Sequence, residues 1–135
     1  MAADPADLGR RLARRLTAGA ARPRARVLAA QMGIQMVEQE RPPAAQPRLR
    51  SEYRAAPPQI ILYRKVLDEL SAARREDVVS GEAEFDLDEV HVAHELFHHL
   101  ERAEGLGPLT AGESEEAAHA FARELLGLLF DPREL

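Results

Sequence analysis

Two helix-start signals in the second half of the chain constrain its fold more than any other pattern. Residues 86–89 (DLDE) match a capping box. In this motif the side chain of the first residue accepts hydrogen bonds from the first helical amides, and the glutamate three residues later accepts one from the backbone amide of the first residue. We expect Asp86 to accept a hydrogen bond from the third helical amide and Glu89 to bond the cap amide. Phe85 and Val90 occupy the two positions of a hydrophobic staple, which supports the same prediction.

The second start signal lies at residues 110–113 (TAGE), which match another capping box. Residues 105–108 (GLGP) end the preceding helix, because glycine suits a helix C-terminus and proline cannot continue a helix. These signals predict helices near residues 87–104 and 111–129.

The first half of the chain contains shorter elements. Helical periodicity over residues 7–30 is broken in two at Gly19 and Pro23. Residues 59–64 form the strongest predicted strand, and their apolar character on both faces indicates a central position in a sheet. The remaining predicted elements are strands over residues 33–38 and 51–54, a short helix over 67–75, and a polar loop over 76–85 around Gly81.

This order of elements predicts an α+β fold with a small sheet of about three strands. The 135 residues suit one domain, which we expect to span residues 1–135 and to include a basic helical extension over residues 1–24. The proline-rich segment 41–50 (RPPAAQPRLR) is the best candidate for a mobile connector.

Several classes of protein are disfavoured by what the sequence lacks. It contains no cysteine, so disulfides, thiol nucleophiles and cysteine-ligated metals are excluded. It has no apolar run of about 18–20 residues, which a transmembrane helix requires. The first residues lack the apolar stretch of a signal peptide. We therefore expect a cytoplasmic protein with no membrane partner.

Charge is distributed unevenly along the chain. Residues 1–75 contain more arginine and lysine than acidic residues, whereas residues 76–135 are strongly acidic, and the formal net charge is −5. A basic arm for nucleic acid is one interpretation. The other is that the two halves pack together and their charges largely offset, which we favour because neither half is a block of like charge. With 4 Phe and 2 Tyr, none interleaved with the clusters of arginine, stacking platforms are poor and direct nucleic-acid binding is not expected.

The motif with the clearest chemistry is HELFH at residues 94–98. On a helix, His94 and His98 lie about 40° apart around the axis, so both imidazoles face one way and can reach one zinc ion. Glu95 is rotated by about 100° from His94, too far round to be a third ligand. It can instead act as a general base on a water molecule beside the two histidines. An HExxH motif thus supplies two metal ligands and a general base from one turn of helix.

A catalytic zinc site needs a third protein ligand, and the downstream helix offers two glutamates. Glu115 shares a helix face with a series of apolar residues, whereas Glu116 lies beside Arg123 on the expected solvent face. A carboxylate on an apolar face is costly unless it is paired or bound to metal. We therefore predict Glu115 as the third ligand, with Glu116 as the alternative.

The remaining histidines and tyrosines have less defined roles. His119 lies one turn after Glu115, where it can hydrogen-bond a liganding residue, stabilise charge on a substrate, or make a purely structural hydrogen bond. His91 precedes His94 by a turn and is a weaker candidate for lining the site. His99 is expected to be exposed. Tyr53, Tyr63 and His119 all remain open as groups that assist an oxyanion.

Residues 94–101 (HELFHHLE) and 115–126 (EEAAHAFARELL) resemble the ImmA/IrrE family of zinc metallopeptidases. That family pairs an HExxH helix with a helix of the form Glu-x-x-x-Asn/Asp-x-Phe-Ala-x-x-Leu-Leu. Residues 28–34 (LAAQMGI) and 60–63 (IILY) resemble its upstream helix and strand, so the resemblance spans roughly residues 25–130.

The resemblance implies a zincin-like α+β domain in which His94, His98 and Glu115 hold Zn²⁺ and Glu95 is the general base. Better-understood members of the family control transcriptional repressors, so it also implies a protein substrate, such as a DNA-binding repressor. The chain departs from the pattern in having Phe97 in place of the usual glycine and His119 in place of Asn or Asp. No helix-turn-helix or sensor domain accompanies it, so we expect any DNA contact to come from a partner.

Two functions therefore follow as expectations. The first is a zinc peptidase, in which an extended peptide pairs with an edge strand, for which residues 60–63 are one candidate although they equally suit a central strand. The second is a non-hydrolytic zinc-binding regulatory or interaction domain, in which the metal mainly ties two helices together.

Overall fold

The computed structural model describes residues 4–18, 23–77 and 86–135, with only the backbone for residues 74–77. Within these ranges the chain forms a small α+β domain with five helices, a three-strand sheet and a final 3₁₀ turn. The elements are α1 (Pro5–Thr17), α2 (Ala25–Gln31), β1 (Gln35–Gln39), β2 (Ser51–Ala55), β3 (Pro58–Tyr63), α3 (Arg64–Asp77), α4 (Leu87–Glu104), α5 (Ala111–Leu126) and the turn Pro132–Glu134. The α+β class and the three strands are confirmed.

The sheet has the order β1–β3–β2, so the predicted central position of β3 is confirmed. β3 runs parallel to β1, with Gln59 opposite Gln35, and antiparallel to β2, with Leu62 opposite Ser51. Residues 60–63 are buried, as a strand covered on both faces must be. The idea that residues 60–63 offer an edge to a peptide is wrong, because β3 is paired on both sides.

Helix α4 runs through the middle of the domain and contacts α2, α5, β2 and β3. Its apolar side chains Val92, Leu96 and Phe97 are fully buried, and Phe97 packs on Phe121 of α5 with ring centroids 5.8 Å apart. The bulky residue at position 97 thus belongs to the core between the two helices. This packing fixes the HELFH motif on a rigid element.

The two helix-start signals behave differently. Thr110 and Glu113 form the full reciprocal capping box, as predicted. Asp86 accepts hydrogen bonds from the amides of Asp88 and Glu89, which confirms the first half of the other box. Its second half is wrong, because the Glu89 carboxylate turns away from the cap to another helix.

The buried carboxylate of Glu89 accepts hydrogen bonds from the backbone amides of Ala25 (2.7 Å) and Arg26 (3.1 Å) at the start of α2. Arg24, the N-cap residue of α2, makes no side-chain cap hydrogen bond. Buried amide groups at a helix start need an acceptor, so Glu89 supplies across space what the local sequence lacks. Phe85, the expected staple partner of Val90, lies outside the described residues.

The basic residues of α1 do not form a free surface arm in the structure. α1 packs along α5 and buries Gly9, Leu12 and Ala13. Among its exposed residues, Arg14 pairs with Glu124 of α5 at 2.8 Å and Arg15 pairs with Glu104 of α4 at 2.5 Å. The predicted basic extension therefore contributes apolar side chains to the shared core.

Several boundaries differ from the predicted ones. α5 ends at Leu126 and not at residue 129, because Gly127 takes the left-handed conformation with φ 64°. α3 begins at Arg64 and reaches Asp77, longer at both ends than predicted. The part of the predicted polar loop after Asp77, including Gly81, lies outside the described residues. In the ranges that are described, no helix is both long and apolar enough to cross a membrane.

Candidate metal centre

Three side chains from two helices converge at one point of the molecule. The Nε2 atom of His94 lies 2.9 Å from one carboxylate oxygen of Glu115, and Nε2 of His98 lies 3.0 Å from the other. The two Nε2 atoms are 3.3 Å apart. The helical spacing of four brings the histidines together on α4, and the packing of α5 on α4 brings Glu115 to them.

This donor set fits a zinc ion. Two ring nitrogens and a carboxylate are among the ligands that zinc prefers, and all three donor atoms lie within 4.8 Å of one another. Tetrahedral ligands about 2.0–2.1 Å from zinc lie roughly 3.3 Å from each other. The contacts at 2.9–3.3 Å are close to that value, so only small shifts would be needed to admit the ion.

The charges of the cluster are strongly coupled. Hydrogen bonds from His94 and then His98 hold the pKa of Glu115 well below its usual range. Burial lowers the pKa of His98, but the hydrogen bond with Glu115 and the charges of Glu95 and Glu115 outweigh burial, so that the pKa is raised. A proton and a metal ion would therefore compete for the same cluster.

The structure separates the two candidate third ligands. Glu115 belongs to the cluster, whereas Glu116 lines a neighbouring cavity with Arg123. The expectation that Glu115 is buried on an apolar face is wrong, since 54% of its side chain is exposed. Its helix face turns from the core into an open cleft at this point, so the carboxylate meets both the histidines and solvent.

Glu95 lies beside the cluster and is buried, with 6% exposure. Its Oε2 atom accepts a hydrogen bond of 2.6 Å from the Ser51 hydroxyl, and both residues line the cleft. Ser51 is the first residue of β2, and sequence reasoning missed it. A serine 44 positions away carries no local signal of this contact.

His98 is also held from its other side. Its Nδ1 atom lies 3.3 Å from the Glu101 carboxylate and 3.3 Å from the Ser114 hydroxyl, which itself donates to Glu101 at 2.7 Å. A carboxylate beside Nδ1 keeps the proton there and leaves Nε2 available to a metal. Sequence reasoning missed Glu101 and Ser114. Their positions were a usable signal, because one lies a turn after His98 and the other directly precedes Glu115.

His119 faces the cluster without bonding to it. Its ring centroid lies 4.7 Å from that of His94, and both rings line the cleft. The buried Nδ1 atom of His119 has no hydrogen-bond partner among the described residues. Burial and the neighbouring His94 lower the pKa of His119 to about 4, so the ring is neutral at pH 7.

The other candidates occupy different places. His91 lines the cleft, where its Nδ1 atom donates to the Leu87 carbonyl at 2.9 Å and burial lowers its pKa to about 4. His99 is half-buried against Tyr53, with 2.8 Å between Nδ1 and the tyrosine hydroxyl, so its expected exposure is wrong. Tyr63 is not among the residues that line the cleft, and its hydroxyl donates to Glu52 at 2.9 Å.

The cluster opens into a cleft of about 530 Å³. Its walls come from β2, α4, α5, the C-terminal segment and residues 46 and 48–50 of the proline-rich segment. The segment that was expected to be a mobile connector thus forms one wall. The cleft offers room for a ligand directly beside His94, His98 and Glu95.

Comparisons with protein families, with curated proteins and with solved structures found no match for this chain. The geometry of the cleft and the sequence motifs therefore carry the functional argument.

Proposed function

We propose that this protein is a zinc-dependent peptidase that hydrolyses a peptide bond in a protein substrate. The observation that carries the proposal is the convergence of His94, His98 and Glu115 beside a buried glutamate, Glu95, at the wall of an open cleft. A zinc ion held there would polarise a carbonyl group and make water more acidic.

The protein's own residues then have distinct tasks. Glu95 accepts a proton from the attacking water and returns it to the leaving amine. The hydrogen bond from Ser51 fixes one oxygen of Glu95 and leaves the other free to hold that proton. Glu101 holds the ring of His98 in place through its Nδ1 atom.

Two groups are candidates to assist the developing oxyanion. His119 and Tyr53 both line the cleft; the His119 ring is neutral, and the Tyr53 hydroxyl lies 2.8 Å from Nδ1 of His99. Tyr63 is dropped from the proposed site, because it does not line the cleft.

The substrate is proposed to lie along β2. This strand is at the edge of the sheet, and its residues 51–53 line the cleft. An extended peptide can pair with an edge strand through backbone hydrogen bonds, which would bring its carbonyl groups past the metal centre.

The zincin-like arrangement and membership of the ImmA/IrrE family remain part of this proposal. Both are supported by the resemblance of residues 94–101 and 115–126 to the family pattern. That resemblance also supports a transcriptional regulator as the substrate.

The test has two steps. Elemental analysis of the purified protein should find about one zinc per chain, and His94→Ala should lose it. A mixture of synthetic peptides is then incubated with the zinc-loaded protein, and cleavage is followed by mass spectrometry. Glu95→Gln should retain zinc and abolish cleavage, while Glu116→Gln, outside the cluster, should retain both. Cleavage that persists in Glu95→Gln would contradict the mechanism.

A non-hydrolytic zinc domain is the second candidate. It is supported by the origin of the ligands, since a metal bound to His94, His98 and Glu115 would cross-link α4 to α5. In that case Glu95→Gln would leave the protein's role in cells unchanged, while His94→Ala would destabilise the fold.

A further inference from the structure

Two arginines line the cleft beside the candidate metal centre. Arg48 and Arg50 belong to the segment between β1 and β2, and both line the cavity that contains His94 and Glu95. Arg48 is exposed and Arg50 is half-buried. Neither has been used in the proposed function.

The carboxylates that line the same cleft are already engaged. Glu52 accepts from the Tyr63 hydroxyl and pairs with Arg54, and Glu95 accepts from Ser51. Glu115 belongs to the histidine cluster.

Among the described residues, neither Arg48 nor Arg50 forms an ion pair with an acidic side chain. In this part of the chain, the acidic side chains that line the cleft pair with Arg54, His94 and His98. The wall of the cleft therefore contains two arginines that are not paired with any acidic side chain in the described part of the chain.

The contacts of Arg50 show that its guanidinium can hold a chain segment inside the cleft. Its Nη2 atom donates to the main-chain oxygen of Leu135, the last residue of the sequence, at 3.1 Å, and Leu135 lines the cleft with it. A guanidinium has five N–H donors in a planar fork, so this single contact leaves others available. Its positive charge also lies near His91, whose neutral ring adds no competing cation.

From this arrangement we propose that Arg48 and Arg50 form a subsite for a carboxylate group of the bound peptide. The inference rests on the proposed function and narrows its substrate class to peptides with a carboxylate near the scissile bond. Arginine suits this task because its fork matches both oxygens of a carboxylate. An acidic side chain and a free C-terminus both supply that group, and the experiment distinguishes them.

The probes are short hydroxamate peptides, which bind a zinc site without needing to be cleaved. One series carries the hydroxamate at its C-terminus and has glutamate or glutamine at each position of an otherwise alanine sequence. A second series carries the hydroxamate at its N-terminus and ends in a free acid or an amide. Isothermal titration calorimetry with the zinc-loaded protein gives the affinity of each member.

In at least one matched pair, the carboxylate peptide should bind about tenfold tighter than its amide counterpart, as expected for a charge-assisted pair in a cleft. The ratio of the two affinities should fall toward one in Arg48→Gln/Arg50→Gln. It should be only partly restored in Arg48→Lys/Arg50→Lys, which keeps the charges but loses the planar fork. Arg41→Gln, in the same segment but not lining the cleft, should keep the wild-type ratio. The ratio should also shrink at high salt, because added ions screen the pair.

The outcomes separate the two proposals. If hydroxamates bind but every acid and amide pair binds equally, the subsite is wrong and the metal centre stands. If the preference persists in the double glutamine variant, other residues create it and the subsite is again wrong. If no hydroxamate binds the zinc-loaded protein, the proposed peptidase site is wrong, and the subsite that rests on it falls too. The ratio compares the acid and amide peptides on the same variant, so a variant that binds all peptides more weakly does not change the ratio. Circular dichroism checks that each variant is folded.

Discussion

At the scale of single residues, the candidate metal centre depends on which of two adjacent glutamates faces two imidazole nitrogens. Glu115 lies 2.9 Å from His94 and 3.0 Å from His98, whereas Glu116 faces a separate cavity. Neighbouring positions on a helix point about 100° apart, so one residue of shift changes the environment completely.

Glu115→Ala should therefore weaken zinc binding by more than about 100-fold, because it removes a ligand and second-sphere changes alone cost 10- to 100-fold. Glu116→Ala should stay within about threefold of the wild type. Competition with a chromogenic chelator measures both affinities. Equal losses in the two variants, or no loss in Glu115→Ala, would contradict the assigned ligand.

At the scale of elements, the contact between α1 and α5 depends on a glycine. A β-carbon built on Gly9 would lie 2.1 Å from the carbonyl oxygen of Ala117 and 3.0 Å from the amide nitrogen of Phe121. Both atoms belong to the backbone of α5, which cannot turn aside as a flexible side chain does. The two helices must separate if position 9 carries a side chain.

Gly9→Ala should lower the free energy of unfolding by about 3 kcal/mol, the upper range for overpacking a core. Gly112→Ala provides the matched control, because a β-carbon there meets nothing within 4 Å. It should be neutral or raise stability by up to about 1 kcal/mol through helix propensity. Urea denaturation monitored by circular dichroism measures both. If Gly9→Ala is as stable as Gly112→Ala, the close helix contact is wrong.

The two glutamates of the helix-start signals offer a second comparison between elements. Both stand three residues after a capping side chain, yet Glu89 is buried against α2 and Glu113 closes its own local box. Removing Glu89 leaves two backbone amides of α2 without an acceptor in a mostly buried place.

Glu89→Ala should therefore cost about 2 kcal/mol of unfolding free energy, the range for stranded buried donors. Glu113→Ala should cost about 1 kcal/mol or less, as for an exposed cap. Thermal and urea unfolding of both variants give the comparison. A larger loss in Glu113→Ala would show that the carboxylate of Glu89 does not support α2.

At the scale of the whole molecule, ion pairs connect the basic first half to the acidic second half. Asp88 of α4 bonds Arg26 of α2 at 3.2 Å and Arg64 at the start of α3 at 2.7 Å. Hydrogen bonding to Asp88 is the main reason that the pKa of Arg64 is raised. Arg14 and Arg15 of α1 also pair with Glu124 and Glu104. In each case a basic residue of the first half bonds an acidic residue of the second half, so the ion pairs join elements that are distant in sequence.

Asp88→Asn should destabilise the protein by about 1 kcal/mol, because its carboxylate is about three-quarters buried yet still screened by solvent. Asp68→Asn removes a more exposed pair to the same arginine and should cost less than about 0.5 kcal/mol. Thermal unfolding at low and high salt tests this, with the Asp88 effect shrinking as salt rises. Equal and salt-independent effects would contradict it.

Much of the helical architecture could be predicted because its signals are local. The start of α4 after Asp86, its end at Gly105 and the box at Thr110 are set by residues within a few positions of each boundary. The apolar run of β3 predicted its central place, because only a strand covered on both faces favours such a sequence. The shared direction of His94 and His98 follows from helical geometry alone.

The partners of those residues were decided only by the tertiary structure. Ser51 reaches Glu95 and Glu89 reaches α2 because separate segments pack together, and no spacing within either segment reports that contact. The exposure of Glu115 likewise depends on where α5 leaves the core and borders the cleft. The sequence by itself determined the helices and the pairing of two histidines, since these depend on neighbours in the chain. The tertiary structure decided which carboxylate faces them and which arginines share their cleft, since these depend on packing between residues far apart in the chain.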